Sequence, residues 1–496
     1  MKKILSLLFS TIFIFLFIAS AHAAPALPKY CNSVEQGLVT RVKDQGGTGT
    51  CWAFAAISCL ETDAIKKGYI KETDFESYIN KPDFSEAHLV WAASNGEGEN
   101  IYYKPGDVSL ILHALGNYGG INDEEKYRFY SQAVEKMGNY DKEALFDNNG
   151  YCLSQFKFLS NADDMKQWIY EHGSAMVTFN VGNNSTFASK YNKKETTFCN
   201  AANVSGNPHT VTIVGWDDTY SKELFKNKPE KDGAWLVKNS WGKSWGDNGY
   251  FWLSYCEPTL TDMYGLEVGK VNYKKVYTYN ETEYNNFISA SKQLKCANIF
   301  KLTENEVITS LSVYLFNDSI NIKIIKLKDE YTGPEDGTII YNNDFTFNNK
   351  GFKKINTGDI QVEPGSYSVV LTITGDRCSY PTEHLPKYSI EEQPRGESFV
   401  DTGSGWQDIY KSGNLYINLF TDKSETISEN TVSSDDNEPN QDNPDNPKEP
   451  EKPKESDITK PETEQKNESI ISKIITQINK IIISVRTFFA GLFKKR

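Results

Sequence analysis

The stretch CWAFAAISCLETDAIKK, residues 51–67, is apolar almost all the way round a helical turn, opens after Thr50 and meets a glycine at Gly68. Such a helix has no face to offer water, so it predicts a central element covered on every side and ended by the glycine. Part of the cover is readable downstream. HTVTIVGW (209–216) alternates, GAWLVKNSW (233–241) is a short apolar run ending in polar residues, and GYFWLSY (249–255) is rich in aromatics. These three runs predict a small antiparallel sheet. Residues 24–265 therefore read as one α+β domain.

From residue 274 to 421 the pattern changes. VITSLSVYLF, INIKIIKLK, TIIYNNDFTF, SYSVVLTIT and NLYINLF are short strand-like runs separated by turn residues, the spacing of an all-β sandwich. Residues 422–468, with DDNEPNQDNPDNPKEPEKPKES, hold almost no apolar side chains and predict a disordered linker. Residues 469–496 turn apolar again. On a helix, Ile470, Ile474, Ile478, Ile481, Val485, Phe488 and Leu492 share one face, with Lys473, Gln477, Lys480 and Ser484 opposite. Arg486 interrupts any spanning run, so this tail reads as an amphipathic helix lying on a surface, and its KKR ending favours an anionic membrane. At the other end, two lysines, a long apolar run and Ala-His-Ala make residues 1–23 a signal peptide cut after Ala23. The expected product is a secreted protein retained at the cell surface.

A formal net charge of −13 argues against nucleic acid as a partner, because phosphate binding needs a basic surface. Eight cysteines are too few for a disulfide scaffold, although export permits bridges. With Cys51 kept free, seven remain and at least one more is unpaired. Cys199 and Cys256, which flank the β-rich half of the first domain, are the candidate pair.

Cys51 sits where the central helix begins, so unpaired N–H groups and the helix dipole point at its sulfur. An ordinary thiol, with a pKa of about 8.5, is a weak nucleophile at neutral pH, and a histidine would supply the missing positive charge. The chain has six histidines. His209, in GNPHTVTIVGW, opens a strand and is the best placed to hold its ring against a helix end. Asn239, in VKNSWGKSWGDNGYFW, ends a strand predicted to pair with that one. Its amide oxygen would fix the ring, and Trp241 would shield that bond from water. Attack on an amide carbonyl also creates an oxyanion. The Gln45 side-chain amide and the Cys51 backbone N–H would receive it, on a loop made tight by Gly46, Gly47 and Gly49.

In these residues a family resemblance becomes plain. DQGGTGTCWAF (44–54), NPHTVTIVGW and KNSWGKSWGDNGYF occur in the order of the three active-site blocks of the papain family of cysteine peptidases, and resemble them across about residues 27–256. The resemblance implies a two-lobed fold, a helical lobe against an antiparallel β lobe. By it Cys51 is the nucleophile, His209 the acid and base, Asn239 the orienting residue and Gln45 the oxyanion donor. The whole layout, with FSEAHLVWAAS, MKQWIYEHGSAMVTFNVG, ENEVITSLSVYLF and PGSYSVVLTIT, is similar to exported bacterial members carrying a C-terminal lectin-like domain. That implies protein or peptide substrates for the first domain and a glycan or cell-wall ligand for the second. Members of that group bind calcium in the second domain, but no Asp/Glu cluster in EF-hand spacing supplies ligands here. No metal or organic cofactor is expected, with calcium as the alternative.

The match has departures. Thr48 stands three before the nucleophile, where many members have a bridging cysteine, so the loop's rigidity must have another source. His209 and Asn239 lie further on than the roughly 130–150 residues usual in the family, which the polar insertion DDTYSKELFKNKPEKDG explains. Only residues 24–44 separate the expected cleavage site from Gln45, too few for a long inhibitory pro-segment, so the exported chain is expected to be active once folded. The family's paired substrate-binding glycines match Pro105-Gly106 only loosely, which makes Gly106 the candidate there. The function expected is a secreted cysteine endopeptidase working through a thioester. Its rivals are an adhesin using the lectin-like domain, a transglutaminase-like transferase, which would want Asp where Asn239 stands, and a cell-wall amidase.

Overall fold

Helix α1 (Cys51–Lys66) is the covered helix that its composition demands, with every residue from Trp52 to Ala64 buried. Its end falls where the glycine predicts. Gly68 adopts φ +66° and its N–H reaches the carbonyl of Ile65 at 2.9 Å, a backbone turn that a Cβ would strain. The computed structural model describes residues 26–424, apart from 71–81, 97–99, 138–139, 201, 203–205, 317–318, 348–349 and 384–393. The expected signal peptide (1–23), the linker from residue 425 onward and the tail (469–496) lie outside the described residues.

Helices α2 (Glu86–Ala93) and α3 (Val108–Asn117) pack beside α1, and α4 (Ala162–His172) and α5 (Asn184–Lys190) follow. The strands of this half are β1 (Tyr30–Asn32), β2 (Tyr151–Phe158), β3 (Ala175–Asn180), β4 (Thr197–Phe198), β5 (Pro208–Asp217), β6 (Ala234–Lys238), β7 (Tyr250–Ser254) and β8 (Thr261–Lys270). The three runs read from the sequence are β5, β6 and β7, paired antiparallel with β6 between the other two. The short β4 adds to β7 in parallel.

The second half is all strand: β9 (Lys275–Tyr277), β10 (Tyr284–Leu302), β11 (Glu306–Leu315), β12 (Ser319–Leu327), β13 (Gly337–Thr346), β14 (Gly351–Val362), β15 (Gly365–Glu383), β16 (Ser398–Asp401), β17 (Gln407–Asp408) and β18 (Asn418–Lys423). One of its sheets has the order β13-β12-β15-β10-β16-β17. The other does not stop at the domain boundary. It runs β4-β7-β6-β5-β3-β8-β2-β14-β11-β18-β9, because β14 pairs antiparallel with β2 through Gly351↔Lys157 and Phe352↔Phe156. Apolar packing follows the same path. Phe156, Tyr314 and Phe352 belong to one core with Trp52 and Leu60, and a Cβ on Gly116 of α3 would stand 3.1 Å from the Phe352 ring. Asn418 of β18 donates its side-chain amide to the Gly116 carbonyl at 3.0 Å and to Asn117 Oδ1 at 2.9 Å.

A buried ionic network sits beneath the loop that leads into α1. Lys43 Nζ lies 2.9 Å from Glu61, Asp83 and Glu86 and donates to the Phe84 carbonyl at 2.9 Å. Thr40 hydrogen-bonds Glu61 in turn, and Lys238 Nζ donates to Thr40 Oγ1 at 3.0 Å. Burial pushes the Glu86 carboxyl up to about 8, against the pull of Lys43, and burial pushes Lys238 down to about 8. Removing one member of such a set strands the others without compensation, at about 3–5 kcal/mol. Lys43→Met is therefore expected to lose about that much stability in urea unfolding. The deficit should shrink as pH falls from about 8 to about 5, because carboxyls with raised folded pKa values take up protons and favour the folded state at lower pH. A variant as stable as the parent at both pH values would refute this.

Candidate active site

The start of α1 places Cys51 at a helix N-terminus, half-buried, with the backbone N–H groups of Trp52 and Thr210 directed at its sulfur. Burial alone would raise its pKa. The hydrogen bond and charge of His209, with those two N–H groups, outweigh burial and hold the thiol below its ordinary range.

His209 opens β5 and is 5% exposed, so its ring is held rather than free to rotate. Nε2 lies 2.8 Å from Asn239 Oδ1. An amide oxygen accepts only, so Nε2 carries the proton and Nδ1 is left to face the thiol. Trp241 stacks on the imidazole at 4.7 Å and 22°, with Phe179 at its edge, 6.1 Å away. Trp241 in turn packs edge-on against Trp245 at 5.0 Å. The amide oxygen of Asn239 also accepts the Ser240 N–H at 2.8 Å, which fixes its orientation.

Gln45 is buried and clamped at both ends of its amide. Oε1 accepts from Ser240 Oγ at 2.6 Å, and Nε2 donates to the Thr48 carbonyl at 2.9 Å, leaving the second amide hydrogen free. The Gln45 backbone N–H adds a bond to the Ser240 carbonyl at 2.9 Å. The rigidity sought at Thr48 also has its source here. Its hydroxyl donates to the Gln45 carbonyl at 2.8 Å and meets the Thr50 hydroxyl at 2.6 Å, so hydrogen bonds staple the loop.

Two of the three loop glycines are required by contact. A Cβ on Gly46, which has φ +62°, would stand 2.5 Å from the Ser131 carbonyl oxygen, and one on Gly49 would stand 2.8 Å from those of Tyr103 and Lys104. Gly47 meets nothing within 4 Å, so its expected role in the tight path is not needed. Gly106 lies against the indole of Trp52, the residue after Cys51, with 2.5 Å from an added Cβ to Trp52 Nε1. Its close packing beside the helix start is what the geometry explains.

The expected Cys199–Cys256 bridge is corrected: all eight cysteines are free. The β4–β7 register pairs Phe198 with Leu253, which carries Cys199 toward Ser254 rather than Cys256, and the Cys199 thiol instead donates to the Asn200 carbonyl at 3.3 Å. The other histidines of the described residues have separate partners. His88 bonds the Ala144 carbonyl at 2.8 Å, His113 bonds Asn95 at 2.7 Å, and His172 bonds Asp63 at 2.8 Å. Among the described residues no group of three or more His, Cys, Asp or Glu side chains gathers to hold a metal ion. Sequence reasoning passed over Ser240 and Thr48 as positioning residues. Ser240 was within reach, being the neighbour of Asn239 in the KNSWG block.

Residues 27–271 match the family profile described as papain family cysteine protease, and residues 276–421 the one described as lectin like domain. The chain joins a papain-family protease domain to a lectin-like domain. Among relatives, it is 29% identical to cathepsin L1 of Drosophila melanogaster over 239 residues, 47% of this chain and 55% of that one. It is 26% identical to zingipain-2 of Zingiber officinale, over 45% of this chain and 86% of that one. The chain thus spans little more than half the length of that fly cathepsin. In solved structures, the clostridial cysteine protease Cwp84 after propeptide cleavage superposes with a TM-score of 0.67 at 24% identity, covering 80% of this chain and 99% of that one. A second structure, of the protease and lectin-like domains of Cwp84 from Clostridium difficile, gives the same TM-score and covers 90% of that chain. These two likenesses show that the fold of both halves is shared.

The coupling of Cys51 to His209 has a direct readout. In His209→Ala the imidazole's hydrogen bond and charge, which lower the thiol pKa, are lost while the burial that raises it remains. Alkylation of Cys51 by iodoacetamide at about pH 7 should slow about tenfold or more, in proportion to the thiolate lost. An unchanged rate would break the link.

Proposed function

We propose that this protein is a secreted cysteine endopeptidase that hydrolyses peptide bonds of proteins through Cys51, His209 and Asn239, with Gln45 as oxyanion donor. The observation that carries the reading is the 2.8 Å contact between His209 Nε2 and Asn239 Oδ1, set behind a thiol whose pKa His209 lowers. The Cys51 thiolate attacks the scissile carbonyl carbon, and the new oxyanion takes hydrogen bonds from Gln45 Nε2 and the Cys51 N–H. Imidazolium His209 then protonates the departing amine, leaving a thioester. In the second half His209 takes a proton from water, the resulting hydroxide attacks the thioester, and the thiol is returned. Asn239 keeps the ring in register throughout and, being neutral, leaves the imidazolium charge to the thiolate.

The site of action we infer is the bacterial surface. The motif at residues 1–23 supports export, and the amphipathic 469–496 segment with its basic end supports attachment to an anionic membrane. Cwp84, which shares the fold, is described as a surface layer associated protein. The lectin-like domain supports a glycan or cell-wall ligand.

A peptide-library digest comparing the parent with Cys51→Ala tests the activity. Cleavage should occur in the parent alone, and Gln45→Ala should lower kcat by about 10²–10³. No cleavage by the folded parent would leave the adhesin reading in its place. Deleting residues 467–496 should release the protein from anionic vesicles, and retention would sink the anchoring role.

A further inference from the structure

A second nucleophilic pair lies at the joint between the two domains. Cys152 is on β2 of the protease domain and is 2% exposed. Lys354 is on β14 of the lectin-like domain. The β2–β14 pairing ends at Lys353↔Gln155, beside an irregularity in β2 between Leu153 and Gln155, and Lys354 is the next residue along β14. Lys354 Nζ stands 3.8 Å from Cys152 Sγ.

The setting of this lysine is unusual for a cation. Its Nζ lies 3.4 Å from the Tyr273 ring centroid and 3.8 Å from that of Phe420, held between two aromatic faces. Among the described residues no carboxylate pairs with it. Burial pushes it down to about 8, with the sulfur opposing, so roughly a tenth of the amine is neutral at about pH 7. Gly269 borders the sulfur: a Cβ there would stand 3.7 Å from Sγ, in ordinary van der Waals contact, and 2.9 Å from the Ser154 Cβ. Packing alone would be served by any long apolar side chain at 354. A thiol beside an amine with no acidic partner can do more than pack.

We propose that Cys152 and Lys354 form a redox-dependent covalent clamp, an S–O–N bridge made in the presence of a peroxide, that fastens the lectin-like domain to the protease domain. The thiol reduces one peroxide to water and becomes a sulfenic acid. The neutral amine reduces a second to water and becomes a hydroxylamine. The hydroxylamine oxygen then attacks the sulfenic sulfur, the S–OH bond breaks, and a third water leaves. Two equivalents of peroxide are consumed, sulfur and nitrogen each lose two electrons, and the product carries one oxygen more and two hydrogens fewer than the free pair. The link closes a loop between residues far apart in sequence, which restricts the unfolded chain as a disulfide does. It needs no turnover at Cys51 and stands apart from the proteolytic reading.

The test uses the full chain carrying Cys51→Ala, to prevent self-cleavage, treated with hydrogen peroxide and mapped by mass spectrometry without reduction. The expected result is one linked peptide pair containing Cys152 and Lys354, heavier than the two separate peptides by one oxygen less two hydrogens, and separated by dithiothreitol. The unfolding midpoint should rise with linkage and fall back on reduction. Cys152→Ser and Lys354→Arg should each abolish the linked pair. A Cys152 peptide carrying only sulfinic or sulfonic acid beside an unmodified Lys354 peptide overturns the proposal, as does a Cys152 that stays a free thiol. Because the decisive map is made with both residues in place, misfolding of either variant does not obscure the answer.

Discussion

The active-site geometry depends on a buried hydrogen-bonded chain, Lys43–Glu61–Thr40–Lys238, in which three charged groups are linked through a threonine hydroxyl and none touches the reacting atoms. Its members lie on three different segments of the site. Lys43 is two residues before Gln45, Glu61 is on the helix that begins with Cys51, and Lys238 immediately precedes Asn239. The loop carrying Gln45, the helix that begins at Cys51 and the strand that ends before Asn239 are thus fixed to one another from behind. Packing alone tolerates small shifts of a helix against a strand, whereas hydrogen bonds between buried charges lose their energy steeply with distance and angle. A geometry that must hold within about half an ångström is served better by such a lock than by apolar contact.

The same logic extends to the loop itself. Where many members of the family place a disulfide, this chain uses the Thr48 hydroxyl, bonded to the Gln45 carbonyl and to Thr50. A covalent bridge would persist through local opening, while two hydrogen bonds of about 1 kcal/mol each do not. The loop's order is therefore tied to the folding of its surroundings. That places more weight on Ser240, which holds both the side chain and the backbone of Gln45 and donates its own N–H to Asn239 Oδ1, joining the two.

Much of this was legible in the chain because the chemistry needs particular residues at particular element ends. Cys51, His209, Asn239 and Gln45 stand in local motifs, and the apolar circumference of α1 announced a covered helix. What was not legible is what arises between distant segments. The strand runs of the second half were read one by one, yet β10 and β14 went unread. YNNFISASKQLKCANIFKL and GFKKINTGDIQV carry too many polar residues on their exposed face to stand out as strands. β14 is the strand that joins the two domains into one sheet, so missing it meant missing the joint. The disulfide reading failed for a related reason: cysteine counting supplies partners but not the strand register that sets Cys199 beside Ser254.

The joint changes what the second domain can do for the first. Two domains linked by a flexible tether bind independently and gain only from effective concentration. Here the sheet passes without a break from β8 through β2 to β14, and Asn418 of β18 ties down the end of α3. A ligand held by the lectin-like domain is then held at a fixed distance and direction from Cys51. Rigid linkage gives up reach and gains orientation. On the proposed function, the bonds offered to the thiol would then be selected by where the ligand presents them as well as by their sequence, and a loosened β2–β14 pairing would cost selectivity on an anchored substrate while leaving the hydrolysis of small free peptides intact.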